Sequence, residues 1–144
     1  MITRKRQHGG EVVEFALLAP LLFVILFGII EFAVALYNQA VITNASREGA
    51  RLGILWTNEL RAPADVKTDM EAAVTAAAGA YLVSLSGSPT VDPNCVPGTR
   101  SGDNVTCQVD YTYNFLVLRP LVALLGGAIP GSVDLSSTTI MRME

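Results

Sequence analysis

Two groups of residues are placed to do chemistry, and the first is acidic. From Val12 to Tyr37 the chain is apolar except for Glu14 and Glu31, and Glu11 stands just before that run. An acidic side chain inside a membrane helix costs up to about 2.5–3.5 kcal/mol near the bilayer centre, so it calls for a reason. Glu14 lies near one edge, where water and headgroups lower the cost, and Glu11 is nearer still to the surface. The second group is the cysteine pair, Cys95 and Cys107. In a translocated segment, an even pair this close reads as one disulfide, the alternative being two unpaired thiols. Closing a loop of this size is worth about 3 kcal/mol in the chain-entropy model.

Other chemistry is poorly provided for. The single histidine, His8, stands in a basic leader, so a histidine-dependent triad in the later part of the chain is excluded. Two cysteines without a histidine beside them are too few for a zinc site. Asp92, Asp103 and Asp110 surround the cysteine loop, but their spacing is not that of an EF-hand, and they read as solvated loop carboxylates. There is no glycine-rich phosphate loop. The expectation is no enzyme, no cofactor and no metal. The net charge is −3, and three of the 10 basic residues (Arg4, Lys5, Arg6) precede Gly9; without them 7 basic face 13 acidic residues, a net charge of −6. That disfavours a nucleic-acid partner.

The elements that carry these residues follow from periodicity. The 26 residues from Val12 to Tyr37 make a helix about 39 Å long, against a hydrocarbon core of roughly 30 Å. The basic residues before it place the N-terminus in the cytoplasm and everything after Tyr37 outside. Beyond Tyr37 the helical pattern continues, with Val41, Ala45, Leu52, Leu55 and Trp56 on one side. One helix from about Val12 to about Trp56 is expected, with Pro20 and Gly28 as kink points. After a break at Asn58 to Ala62, a second helix begins near Pro63, where proline suits a first turn. It presents Val66, Met70, Ala73, Val74, Ala77 and Tyr81 on one face.

From Ser84 onward, prolines and glycines punctuate short segments. Val105 to Phe115 alternates strictly between apolar and polar residues, which is a strand with one buried face. Val133 to Met143 alternates less cleanly, because Ser137 and Thr139 share the face of Val133, Leu135, Met141 and Met143. A weaker strand is expected around Thr90 to Val96. The apolar stretch from Phe115 to Gly131 is interrupted by Arg119, Pro120 and glycines and is too short for a second span. It reads as a strand end and short helix packed on the domain, or else as an exposed contact for another subunit. Arg47 and Arg51, with Glu48 between them, read as a solvated face with a local ion pair, or as a partner-facing patch.

The predicted fold is therefore α+β: a long N-terminal membrane-spanning helix leading into a small domain with a second helix and a short antiparallel sheet. The parts are a basic leader at 1–9, a transmembrane helix at 10–37, its amphipathic continuation and a break at 38–62, and a small extracytoplasmic α+β domain at 63–144.

Three readings compete for the N-terminus. A secretory signal would be cut after the A-x-A-like Ala33-Val34-Ala35, but the apolar run exceeds the usual 7–15 residues and Glu31 stands close to the cut. A plain uncleaved anchor explains the length but not Glu14. The third reading rests on "GGEVVEF", Gly9 to Phe15, which resembles the processing site of type IV pilins: a basic leader, a glycine, and a glutamate as fifth residue of the mature chain. Cutting after Gly9 makes Gly10 the first residue, Glu14 the fifth and the aromatic Phe15 the sixth; cutting after Gly10 breaks the pattern. Glu14 to Gly53, with "SREGAR" after the apolar run, is similar to the TadE-like family of tight-adherence pilus minor pilins.

That resemblance implies a minor pilin or pseudopilin of the bacterial inner membrane that aids filament initiation or assembly and surface attachment. Its implied partners are a prepilin peptidase, an assembly platform and other pilins. It also implies a role for Glu14. In a low-dielectric filament core, its carboxylate would attract a neighbour's N-terminal ammonium and enforce register between subunits. Glu31, near the outer interface, is expected to be solvated, with pairing inside an assembly as the alternative. A permanently anchored protein whose outer domain binds an envelope partner is the other function considered.

Overall fold

A computed structural model describes residues 8–55 and 62–143, with the side chain of His8 excepted. The basic residues of the leader, Trp56 and most of the break expected at Asn58 to Ala62 lie outside the described residues. Among the described residues, three helices and three strands follow in the order α1 (His8–Leu55), α2 (Pro63–Gly79), β1 (Asp92–Val96), β2 (Asn104–Asn114), α3 (Leu118–Leu124) and β3 (Ser132–Arg142). The architecture is α+β. The strands form one antiparallel sheet in chain order, with β2 central, and α1 and α2 pack against its apolar face.

α1 is one continuous helix of 48 residues that includes Pro20. Its two halves differ in surroundings. No residue from 9 to 30 is buried. This half is apolar all round, and the helix is long and apolar enough to cross a membrane. From Glu31 onward one stripe is covered: Glu31, Ala35, Asn38, Ile42, Ala45, Gly49 and Gly53 are buried. Steps of three and four along the chain keep these positions on one side.

The covered stripe is made of smaller residues than the expected one. Val41 and Ala45 are buried, but Leu55 is 61% exposed. The reason is proximity. A Cβ placed on Gly49 would lie 2.6 Å from a Val74 methyl carbon and 2.8 Å from the Cys107 sulfur; on Gly53 it would lie 2.5 Å from Val105. The glycines let helix, helix and sheet meet closely at this end of α1, and Leu55 is turned outward. α2 begins at Pro63 and buries Val66, Met70, Val74 and Ala78. Tyr81 lies beyond its last turn and is 65% exposed, so Ala78 and Leu82 take the place expected for it.

β2 carries the alternation seen in the sequence. Val105, Cys107, Val109, Tyr111 and Tyr113 are buried, and the residues between them are not. The register sets Cys95 directly opposite Cys107, and the two are disulfide-bonded and fully buried. The β1–β2 turn is closed by Asp103. Its carboxylate accepts the Thr99 and Arg100 N–H groups at 3.0 and 2.9 Å and the Thr99 hydroxyl at 2.9 Å. Gly102 supplies the left-handed backbone there, at φ +89°.

Candidate assembly site on the N-terminal helix

The expected processing and assembly residues occupy the first two turns of α1. Gly9 and Gly10 have open space where a Cβ would project. Glu11, Glu14 and Phe15 are exposed, Phe15 at 72%. Gly10 and Glu14 are four residues apart on the helix, so they share a face, about 6 Å apart along the axis. No side chain elsewhere in the described chain covers them. The apolar surface continues above with Leu17, Leu18, Leu21, Leu22, Ile25 and Ile29, each more than half exposed.

Cys95 and Cys107 are far from this end, on the sheet face that packs against Gly49. They hold the domain together and are not brought to the helix tip. Among the described residues, no group of three or more histidine, cysteine, aspartate or glutamate side chains is arranged to hold a metal ion. Of the three aspartates expected in loops, only Asp103 lies in one, where it closes the turn; Asp92 and Asp110 lie on β1 and β2, and Asp110 accepts both hydrogen bonds from the Gln108 amide. The hydrogen bonds to Thr99, above all, hold the Asp103 pKa below the ordinary carboxylate value. Arg51 pairs with Glu48 at 3.1 Å on an exposed face.

The residues missed in the sequence are polar and buried within the covered stripe of α1. Glu31 is neither solvated nor left for another subunit. It is 1% exposed, and its carboxylate accepts three backbone N–H groups: Leu116 at 3.0 Å, Val117 at 2.6 Å and Leu118 at 3.2 Å. The charge is satisfied within the chain, at the start of α3. Asn38 grips the segment after α2, donating to the Val83 carbonyl at 2.7 Å and accepting its N–H at 3.0 Å. The hydroxyl of Ser46 meets those of Thr139 at 2.8 Å and Ser137 at 3.3 Å. This explains why β3 breaks its alternation: Ser137 and Thr139 face a buried hydroxyl, not an apolar core.

Glu31, Asn38 and Ser46 stand seven and eight residues apart, and each fastens a different segment to one helix. Seven residues are close to two helical turns, so the three share a side of α1. That spacing was the available signal; it was hidden because each residue alone looks like an ordinary polar surface position. Beside Glu31, the Tyr113 hydroxyl is buried with no hydrogen-bond partner among the described residues. Burial pushes the phenol pKa up, and the Glu31 charge adds to the shift.

Residues 9–51 match the family model described as TadE-like protein. The match covers the apolar half of α1, Glu14 and Phe15, and most of the stripe that packs on the domain. No curated protein and no solved structure matches the chain.

Proposed function

We propose that the protein is a minor pilin or pseudopilin of a tight-adherence pilus, with a structural and not a catalytic role. The match of residues 9–51 to TadE-like proteins suggests involvement in such a system. The observation that carries the finer reading is Glu14: an acidic residue at the uncovered end of a helix long enough to cross a membrane. In this reading the chain is first held in the bacterial inner membrane, with its N-terminus cytoplasmic and its domain outside. A prepilin peptidase cuts after Gly9. Gly10 then carries a new ammonium one turn from Glu14.

Within one chain, that ammonium lies along the helix from its own carboxylate. Between chains, a shift of one helix against another brings the carboxylate to a neighbour's ammonium. In a dry helix bundle an unpaired charge of either sign is strongly unfavourable, so only registers that pair them persist. The protein would thereby help a filament start or assemble with other pilins on a membrane platform, and so support surface attachment.

The test compares Glu14→Gln with Glu11→Gln. Both remove one charge within the first two turns of α1. Glu14→Gln should insert in the membrane normally yet lose cross-linking to other pilins and pilus-dependent attachment. Glu11→Gln should remain close to the parent. If both variants assemble and adhere like the parent, the pairing role is wrong. N-terminal sequencing of membrane-extracted protein separates the alternatives: Gly10 supports the pilin, Met1 a permanent anchor, and Leu36 release by signal peptidase.

A further inference from the structure

The segment from Phe115 to Gly131 forms a lobe fastened at its base. The Phe115 N–H donates to the Gly131 carbonyl at 3.0 Å, closing the two ends together. Glu31 holds the next three amides. Leu118 reaches the helix at Gly28, where an added Cβ would lie 3.6 Å from its methyl carbon. The lobe has no hydrophobic core of its own. α3 buries none of its residues, while Leu116 is 49%, Leu124 76% and Leu125 52% exposed. Arg119 is the only charged residue between Phe115 and Gly131.

The position of this lobe along α1 identifies what covers it. Helical rise puts Gly28 about 24 Å and Glu31 about 28 Å above Val12, where the apolar stretch begins. A hydrocarbon core is roughly 30 Å thick. With a span that starts at Val12, the lobe is attached where acyl chains give way to headgroups, at the height of Ile29 and Phe32, which are 65% and 61% exposed on the same helix. Its leucines extend an apolar surface that α1 already presents. The long side chain of Arg119 suits the headgroup level, where it can keep its charge in a polar layer.

We propose that the 115–131 lobe is seated in the bilayer leaflet on the domain's side, with Leu116, Leu124 and Leu125 among the acyl chains. The domain then stands on two supports, the spanning helix and the lobe, and both its height and its tilt over the membrane are set. Glu31 has a role in this arrangement, because it ties the second support to the first through groups that need no water. The inference rests on α1 crossing the membrane and does not require the pilin reading.

The test uses the full chain in phosphatidylcholine–phosphatidylglycerol vesicles, with the native cysteines left in their disulfide. A single cysteine bearing an environment-sensitive fluorophore is introduced by Leu124→Cys in the lobe, Leu22→Cys in the span, or Ser101→Cys in the β1–β2 turn. Leu124 and Leu22 labels should be quenched by lipids brominated on their acyl chains and spared by aqueous iodide; the Ser101 label should do the reverse. Iodide quenching at Leu124 matching that at Ser101, while Leu22 stays lipid-quenched, overturns the proposal and leaves the span intact. Protection of Leu124 from both quenchers, together with energy transfer between differently labelled copies, overturns it in favour of a protein contact. Failure of lipid quenching at Leu22 overturns the span and the proposal together.

Discussion

Replacing Glu31 separates a local fastening from a contact between subunits. The carboxylate accepts three backbone amides, and hydrogen bonds to charged groups contribute about 1.5–3 kcal/mol each. Leu116 is half-exposed, so water replaces part of what is lost. Taking the two shortest bonds at the low end of that range gives about 3 kcal/mol for Glu31→Ala. Opening of the lobe should then be favoured roughly a hundredfold. Glu31→Gln keeps one carbonyl oxygen for Leu116 and Val117 but turns an N–H toward the Leu118 N–H. It loses one bond and the charge, about 1–2 kcal/mol, or roughly tenfold. Hydrogen exchange followed on peptides from 115–131 in detergent-solubilised protein reads these ratios, with a peptide from β2 as internal reference. The expected order of protection is parent, Gln, Ala, with the β2 peptide little changed. If Glu31→Ala leaves the amides of 116–118 fully protected, something other than this carboxylate holds the lobe.

Three further outcomes follow from the packing. Gly49→Ala and Gly53→Ala should each destabilise the domain by about 1–3 kcal/mol through overpacking, outweighing a helix-propensity gain of about 1 kcal/mol, whereas Gly28→Ala, whose Cβ would meet Leu118 at 3.6 Å, should be neutral or slightly stabilising; urea unfolding in detergent measures all three. Replacing Cys95 and Cys107 together should cost about 2–5 kcal/mol of domain stability, and non-reducing peptide mapping of the parent should show the two peptides linked. Asp103 titrates below its ordinary 3.8 in the folded chain, so the stability it contributes is present above that pH and is lost as pH falls through the lower folded value. Protection of the Thr99 and Arg100 amides, corrected for the intrinsic exchange rate at each pH, should therefore fall only below pH 3.8, and Asp103→Asn should lower it at neutral pH.

Most of the architecture was legible because it rests on periodicity. The strict alternation from Val105 gave β2 and its buried face, and Pro63 marked the start of α2. The apolar run and its one-sided continuation gave α1. What was not legible depends on partners distant in sequence. The covered stripe of α1 contains Gly49 and Gly53, which carry no apolar signal, and their value appears only once Val74, Cys107 and Val105 stand against them. Ser137 and Thr139 weakened the reading of β3 until Ser46 supplied their partners. At the candidate site, Gly9 and Glu14 stand out through a local motif alone. Glu31 reads from the sequence as a solvated residue because its partners are backbone amides some 85 residues away, and backbone amides leave no trace in composition.

The two glutamates of the apolar run therefore stand in opposite situations on one rod. Glu31 is answered inside its own chain, and Glu14 meets no partner among the described residues. Helical rise separates them by about 25 Å, and α1 runs between them without a break. Every residue that fixes the domain on α1, from Glu31 to Gly53, therefore also fixes the direction in which Glu14 points relative to the domain. If Glu14 sets register between subunits, loosening that grip should weaken assembly without touching Glu14 itself. Asn38→Ala is a suitable probe: it removes both hydrogen bonds to Val83 and leaves the apolar half of α1 unchanged. It should reduce cross-linking to other pilins less than Glu14→Gln does, while membrane insertion stays normal. Cross-linking equal to the parent, in a variant whose segment after α2 is shown by hydrogen exchange to be released, would mean that the orientation of the domain on the helix does not matter for pairing at the tip.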